Sequence, residues 1–311
     1  MPRPHIILDC DPGHDDALAL LLAAQHCDLL GVTTVSGNAP LADTTRNALL
    51  TLQIAELGAP VHAGAARPLV AEAQHAPDIH GESGLGGPVL PELTREPASR
   101  EAVRFIVETA RQTDGVWLVA VGPLTNVALA LREAPDIAAR LAGISVMGGS
   151  TGPGNRTPTA EFNIWADPEA AQIVFGSGVP LKMCGLNVTH QFMILEADVA
   201  RIRALGNPAA SFAADLLGFY GQAYADAFSG RAEGPLHDPC AVLVLTHPEL
   251  FEFKLRHVAV ELRGEHTRGM TVVDERGRRA RDAAPPNVQV AYTIDRDAAL
   301  EVLIETLASY K

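Results

Sequence analysis

Short apolar runs alternate with longer amphipathic patterns from the first residues of this chain, and that rhythm restricts the fold more than any other feature. His5–Cys10, Leu29–Val35, Val116–Val121, Ile144–Met147 and Leu181–Cys184 read as strands. Between them Asp16–Gln25, Leu41–Leu57, Glu101–Arg111, Leu124–Glu133 and Pro168–Val174 read as helices. Strands that are apolar on both faces and separated by helices predict an α/β fold, with a mainly parallel central sheet flanked by helices in a Rossmann-like layout. After Gly185 the pattern shifts to helices at Ala197–Leu205 and Pro208–Ala227, then to β-rich stretches at His257–Leu262 and Met270–Val273. Val288–Ile294 and a terminal helix from Asp295 close the chain. Helical and small β insertions are therefore expected in the C-terminal third. No repeat or linker divides the sequence, so one domain over residues 1–311 is expected.

Composition narrows the partners. The 311 residues include 37 Asp and Glu against 24 Lys and Arg, a net charge of −13, which excludes a nucleic-acid partner. Arg276, Arg278, Arg279 and Arg281 form the one basic cluster and read as a solvated turn. Cys10, Cys27, Cys184 and Cys240 are scattered without metal-ligand spacing and read as reduced thiols. Asp9 and Asp11 interrupt the first apolar run before a signal-peptide core is complete. No stretch approaches the roughly 18 apolar residues of a membrane span. The expectation is a cytoplasmic protein with no membrane partner.

The chemistry concentrates in Asp9-Cys10-Asp11-Pro12-Gly13-His14-Asp15-Asp16, at the carboxyl end of the first strand, the edge where open α/β sheets bind ligands. Helix capping accounts for one or two of these carboxylates. Four in one loop raise one another's pKa and destabilise the fold unless a cation lies among them. Oxygen donors without His or Cys at ligand spacing point to a hard ion, and a flexible acidic loop suits Ca²⁺ better than Mg²⁺. Leu236-His237-Asp238-Pro239-Cys240 offers a further carboxylate, although an Asp before a helix-starting proline also reads as an ordinary cap. Neither a P-loop nor a dinucleotide fingerprint is present. Asn155, Glu161, Asn163 and Asp167 instead suit the hydroxyls of a sugar.

Six blocks, in order, carry a resemblance: DCDPGHDDA from Asp9, SGN from Ser36, HGESGLGG from His80, GPLTN from Gly122, MGG from Met147 with GNRTPTAEFNIWADPEAA from Gly154, and LHDPC from Leu236. Together they resemble the inosine-uridine-preferring nucleoside hydrolases, closest to the bacterial, pyrimidine-preferring ribonucleoside hydrolases. The resemblance implies the nucleoside hydrolase fold. It also implies hydrolysis of the N-glycosidic bond of uridine, cytidine or inosine by a metal-activated water, through an oxocarbenium-like transition state. A Ca²⁺ would be held by Asp11, Asp16, Asp238 and the backbone carbonyl of Thr125, with Asp11 also the general base. Asp15 would bind ribose hydroxyls, Asn38 would lie near the water and ribose, and Asn155, Glu161 and Asn163 would hold the sugar, Glu161 near its 5′-hydroxyl.

Met147 would lie under the ribose ring, or simply pack a strand end. His237, with an ordinary imidazole pKa near 6.5, would protonate or hydrogen-bond the leaving base, although a histidine at a helix start is often a surface residue. His80 would line the base side. Tyr224 and Phe228 lie four residues apart on one helix face, where they close over a base or pack the core. The chain departs from the pyrimidine-preferring pattern at these two positions, which leaves inosine open. His14, His62, His75 and His190 read as loop or packing residues, His14 being near the site. Relatives are commonly homotetramers or homodimers, so a homo-oligomer is expected.

Two rivals remain at this stage. A haloacid dehalogenase-type Mg²⁺ phosphatase would use Asp9 as nucleophile and Asp11 as acid/base, but Pro12-Gly13 and the lack of a downstream lysine and acidic pair disfavour it. A non-catalytic ribose- or nucleoside-binding protein would have lost a metal ligand or the histidine, yet Asp11, Asp16, Asp238 and His237 are all present.

Overall fold

Along the first strand, His5–Cys10 (β1), side chains alternate between two cores. Ile6, Leu8 and Cys10 enter one and Ile7 the other, as the two-residue period of a strand requires. The first core is packed by helices His14–His26, Pro208–Tyr224, Pro239–Thr246 and Arg296–Ala308, the second by Ala102–Gln112, Thr125–Glu133 and Pro168–Phe175. Covered on both faces, the sheet needs the continuous apolar runs seen in the sequence. The computed structural model describes residues 3–276, 282 and 284–311. The side chain of Phe228, and Arg278, Arg279 and Arg281 of the basic cluster, lie outside the described residues.

The following strands are Asp28–Thr34 (β2), Val61–Ala63 (β3), Trp117–Ala120 (β4), Gly143–Met147 (β5) and Leu181–Cys184 (β6). Met193–Ile194 (β7) and Gly234–Pro235 (β8) pair as a small antiparallel ribbon. Phe251–Arg256 (β9) follows, then a second ribbon of Val258–Val260 (β10) and Thr271–Val273 (β11), and finally Val288–Ile294 (β12). The eight-stranded sheet has the order β3-β2-β1-β4-β5-β6-β12-β9. Every pairing is parallel except β12 with β9. From β1 the chain winds one way to β2 and β3, then from β4 the other way to β6. The loops after β1 and β4 therefore diverge and leave a crevice at the carboxyl edge.

Several boundaries differ from the sequence expectation. The helix expected to reach Leu57 ends at Ile54, and Glu56 then takes the left-handed conformation, φ 54°. The long helix of the C-terminal third stops at Tyr224 and widens into a π-helical turn, Ala225–Ser229. All four cysteines are buried and free. Among the described residues no helix is long and apolar enough to cross a membrane.

Candidate active site

The crevice between the β1 and β4 ends continues into a cavity of about 240 Å³. Asp15 and Asp238 line its floor, with Asp11 and Asp16 fully buried behind them. Helix His14–His26 starts two residues earlier than expected, placing Asp15 and Asp16 in its first turn. Asp16 accepts hydrogen bonds from the backbone N–H groups of Asp11 (3.1 Å) and Gly13 (2.9 Å), so it closes the Pro12-Gly13 turn. Asp15 reaches across to a different helix start, where its Oδ2 accepts from the amides of His237 (3.2 Å) and Asp238 (3.4 Å). Asp238 precedes helix Pro239–Thr246 but makes no side-chain cap bond, so capping does not explain it. Instead, oxygens of Asp15, Asp16 and Asp238 lie within 4.8 Å of one another, all three residues buried. The tight trio contains Asp15, where the resemblance implied Asp11.

Asp11 is completely buried. Its Oδ2 accepts from the Asn38 amide at 2.6 Å, and its Oδ1 has no hydrogen-bond partner among the described residues. Gly37 and Gly122 make room for it, since a Cβ on either would come within 2.0 or 2.4 Å of an Asp11 carboxylate oxygen. The Asn38 side chain donates to the Asp11 carbonyl (3.3 Å) and to Asp16 (3.2 Å), holding the two residues together. Thr125 opens helix Thr125–Glu133, buried, with its hydroxyl donating to Asp167 at 2.7 Å.

Burial and crowding act on this floor together. Burial first, then the charge of Asp16, pushes the Asp11 carboxyl well above the ordinary range. Asp238 is pushed well above it by burial and by Asp15, Asp16 and Asp11. Asp15 rises to about 7 through burial and Asp16. Burial raises Asp16 as well, against the opposing backbone donors. An orphaned oxygen and crowded carboxylates, with no cationic side chain paired to them among the described residues, fit a hard divalent ion, which offsets both causes at once.

The walls carry the remaining expected residues. Asn38, His80, Met147, Asn155, Glu161 and Asn163 line the cavity, as do Tyr224, His237, Asp15 and Asp238. Glu161 caps helix Phe162–Ala166, accepting from the amides of Asn163 (2.8 Å), Ile164 (3.1 Å) and Gly149 (2.9 Å). Burial raises its carboxyl to about 7 despite these donors. The Asn163 side chain donates to the carbonyls of Val121 (2.8 Å) and Met147 (3.1 Å), joining the ends of β4 and β5. Its oxygen remains for a ligand. Asn155 is exposed at the rim, accepting from the Phe162 amide at 3.0 Å.

His237 is held through Nδ1 by the Thr189 hydroxyl at 2.8 Å, with His190 5.6 Å away ring to ring. Burial, then His190, lowers it to about 3. That burial works against the charging near neutral pH expected of an ordinary imidazole. His80 is held well below the ordinary value by burial, then by His14 and His237.

Tyr220 also lines the cavity, and sequence reasoning missed it. The i, i+4 rule that paired Tyr224 with Phe228 finds Tyr220 one turn earlier, its ring 5.9 Å from that of Tyr224. The phosphatase alternative loses its nucleophile to structural bonds: Asp9 Oδ1 accepts from both the Thr33 hydroxyl (2.5 Å) and the Asn126 side chain (2.8 Å).

Comparison with known proteins agrees with this geometry. The family model described as inosine-uridine preferring nucleoside hydrolase matches residues 6–301. A pyrimidine-specific ribonucleoside hydrolase, RihA, of Shewanella sp. (strain ANA-3) is 47% identical over 314 residues, covering 100% of this chain and 98% of its own. A protein of the same name from Enterobacter sp. (strain 638) is 47% identical over 309 residues, 98% of each chain. Among solved structures, the purine-preferring ribonucleoside hydrolase from Gardnerella vaginalis matches with a TM-score of 0.91 at 32% identity over 98% of each chain.

Proposed function

The chain belongs to the inosine-uridine preferring nucleoside hydrolases, N-glycosidases acting on ribonucleosides, and from that premise we propose a Ca²⁺-dependent hydrolase that splits uridine, cytidine or inosine into ribose and free base. The observation that carries this reading is the buried carboxylate floor beneath a cavity walled by Asn and Glu groups. Asp11, Asp16, Asp238 and the Thr125 carbonyl would hold the ion. When bound, Ca²⁺ lowers the pKa of a coordinated water and accepts sugar hydroxyls as ligands.

Asp11 takes the proton of the attacking water, for which its partnerless Oδ1 is the available acceptor. Water oxygen bonds to the anomeric carbon as the bond to the base nitrogen breaks, and the electron pair leaves with the base. Asp15, with Asn38, Asn155, Glu161 and Asn163, accepts from or donates to the ribose hydroxyls. Their oxygens also favour the positive charge that develops on the sugar. Met147 supports the ring from the end of β5. A neutral His237, with Thr189 donating to Nδ1, offers its Nε2–H as a hydrogen bond to the departing base and keeps that proton, and the base takes its own from solvent once it has left. Tyr224 would close over the base from the helix end.

We extend the proposal to one catalytic domain over residues 1–311 working in a homo-oligomer. The test is kcat/KM for uridine, cytidine, inosine and adenosine with and without chelator. Ribose release that survives complete chelation refutes the metal assignment, and no release from any nucleoside refutes the activity.

A further inference from the structure

His14 has no part in the chemistry above, yet its ring is fully buried behind the wall of the cavity, against His80, which lines it. Its Nε2 lies 2.9 Å from the carbonyl oxygen of Gly86, and its Nδ1 lies 3.0 Å from Nδ1 of His80. The two rings stack with centroids 5.2 Å apart, and Phe219 stacks on His14 at 5.3 Å. Gly13 permits this approach, since a Cβ there would come within 2.4 Å of His80 Nδ1.

Proton accounting then fixes the tautomers. A carbonyl only accepts, so His14 carries hydrogen on Nε2. The short contact between the two Nδ1 atoms needs one proton. Placed on His14, it would make a buried cation with no carboxylate hydrogen-bonded to it, which is unfavourable. It belongs on His80. The His14 amide also approaches His80 Nδ1, but from 3.5 Å, too far to compete with the 3.0 Å contact. A neutral His80 is then bare at Nε2, which makes no hydrogen bond among the described residues, and His80 lines the cavity.

We propose that His14, anchored by the Gly86 carbonyl, is a positioning residue that fixes the His80 proton on Nδ1, so that His80 offers the base a hydrogen-bond acceptor suited to a ring N–H, as in uracil or hypoxanthine. Cytosine and adenine carry a lone pair at the corresponding ring nitrogen. His80 therefore cannot donate a hydrogen bond to the leaving base through Nε2, a task left to His237. This rests on the base-side reading of His80 and names the base chemistry that His80 favours.

The tautomers are read directly by nitrogen NMR of the whole protein labelled with ¹⁵N-histidine. His80 protonated on Nδ1 and His14 on Nε2 is the expected result. His80 protonated on Nε2 overturns the proposal, whatever the protein hydrolyses. His14→Phe keeps the stack and removes both nitrogen contacts. It is expected to mix the His80 tautomers and lower the uridine-to-cytidine ratio of kcat/KM roughly tenfold, the worth of one hydrogen bond. His14→Asn, whose amide oxygen can accept from His80 Nδ1, is expected to restore most of that ratio and covers the case in which the Phe variant fails to fold. An unchanged ratio in a folded Phe variant overturns the selection. Wild-type protein that cleaves no nucleoside, but shows the expected tautomers, sinks the hydrolase reading and leaves the positioning role intact.

Discussion

Replacing Asp15 by Asn should stabilise the metal-free protein while abolishing hydrolysis. The amides of His237 and Asp238 both donate to the same Asp15 oxygen, at 3.2 and 3.4 Å, so an Asn oxygen in that place keeps both contacts. What disappears is a buried negative charge. Burial, then Asp16, raises Asp15 from 3.8 to about 7 in the folded protein. Because the folded value lies above the unfolded one, the ionised group costs stability above about pH 7 and nothing below about pH 3.8, where both states are protonated. At about 1.36 kcal/mol per pH unit the cost reaches at most about 4 kcal/mol near pH 8. In a chain of this size each kcal/mol shifts Tm by roughly 2 °C, so the ceiling is roughly 8 °C. Calorimetry in chelator should show the variant melting higher near pH 8, with the difference shrinking toward pH 4. Ca²⁺ at about 100 times Kd should add about 2.7 kcal/mol to the wild type and less to the variant. No gain near pH 8, or a gain that grows toward acid, would refute the claim that crowded carboxylates strain this floor.

Asp11→Asn removes the proposed base and should abolish turnover in a folded protein; a circular dichroism melt with retained kcat would contradict the assignment. His237→Ala should slow natural nucleosides by about 10² to 10³, and a nitrophenyl riboside far less, because the latter leaves without help from a hydrogen-bond donor. Equal losses on both substrates would remove His237 as the donor. Gly122→Ala puts a Cβ 2.4 Å from Asp11 Oδ1 and should lower stability by about 1–3 kcal/mol, with kcat/KM falling at least about tenfold. A variant with wild-type kcat/KM would mean that Asp11 need not hold this position.

The strands nearest the site were legible because their burial on both faces leaves unbroken apolar runs: β1, β4, β5 and β6 lie where the sequence put them, within a residue or two. β9 was not named as a strand. Its Phe251, Phe253 and Leu255 alternate with charged residues as an edge strand should, but Leu255 is 56% exposed, and so half-polar a segment lacks the unbroken apolar run that marks the central strands. β3 is three residues long, too short for any periodicity. At the site, aspartates were legible because their crowding demands an explanation on its own. His14 was not, because its partners Gly86 and His80 are brought to it by a turn 66 to 72 residues away, and no spacing rule links such positions. Asp238 read equally well as a cap or a ligand, and only the missing cap bond distinguishes them.

Asp15 and Asp238 are separated by 223 residues yet meet at the starts of two packed helices. Closure over so long a stretch comes late in folding. A nascent chain emerging from its amino end thus carries its first aspartates in water, where they repel one another weakly. The electrostatic conflict arises only when the helix after Asp238 docks, so an ion that relieves it rewards completed folding and is indifferent to partial structure.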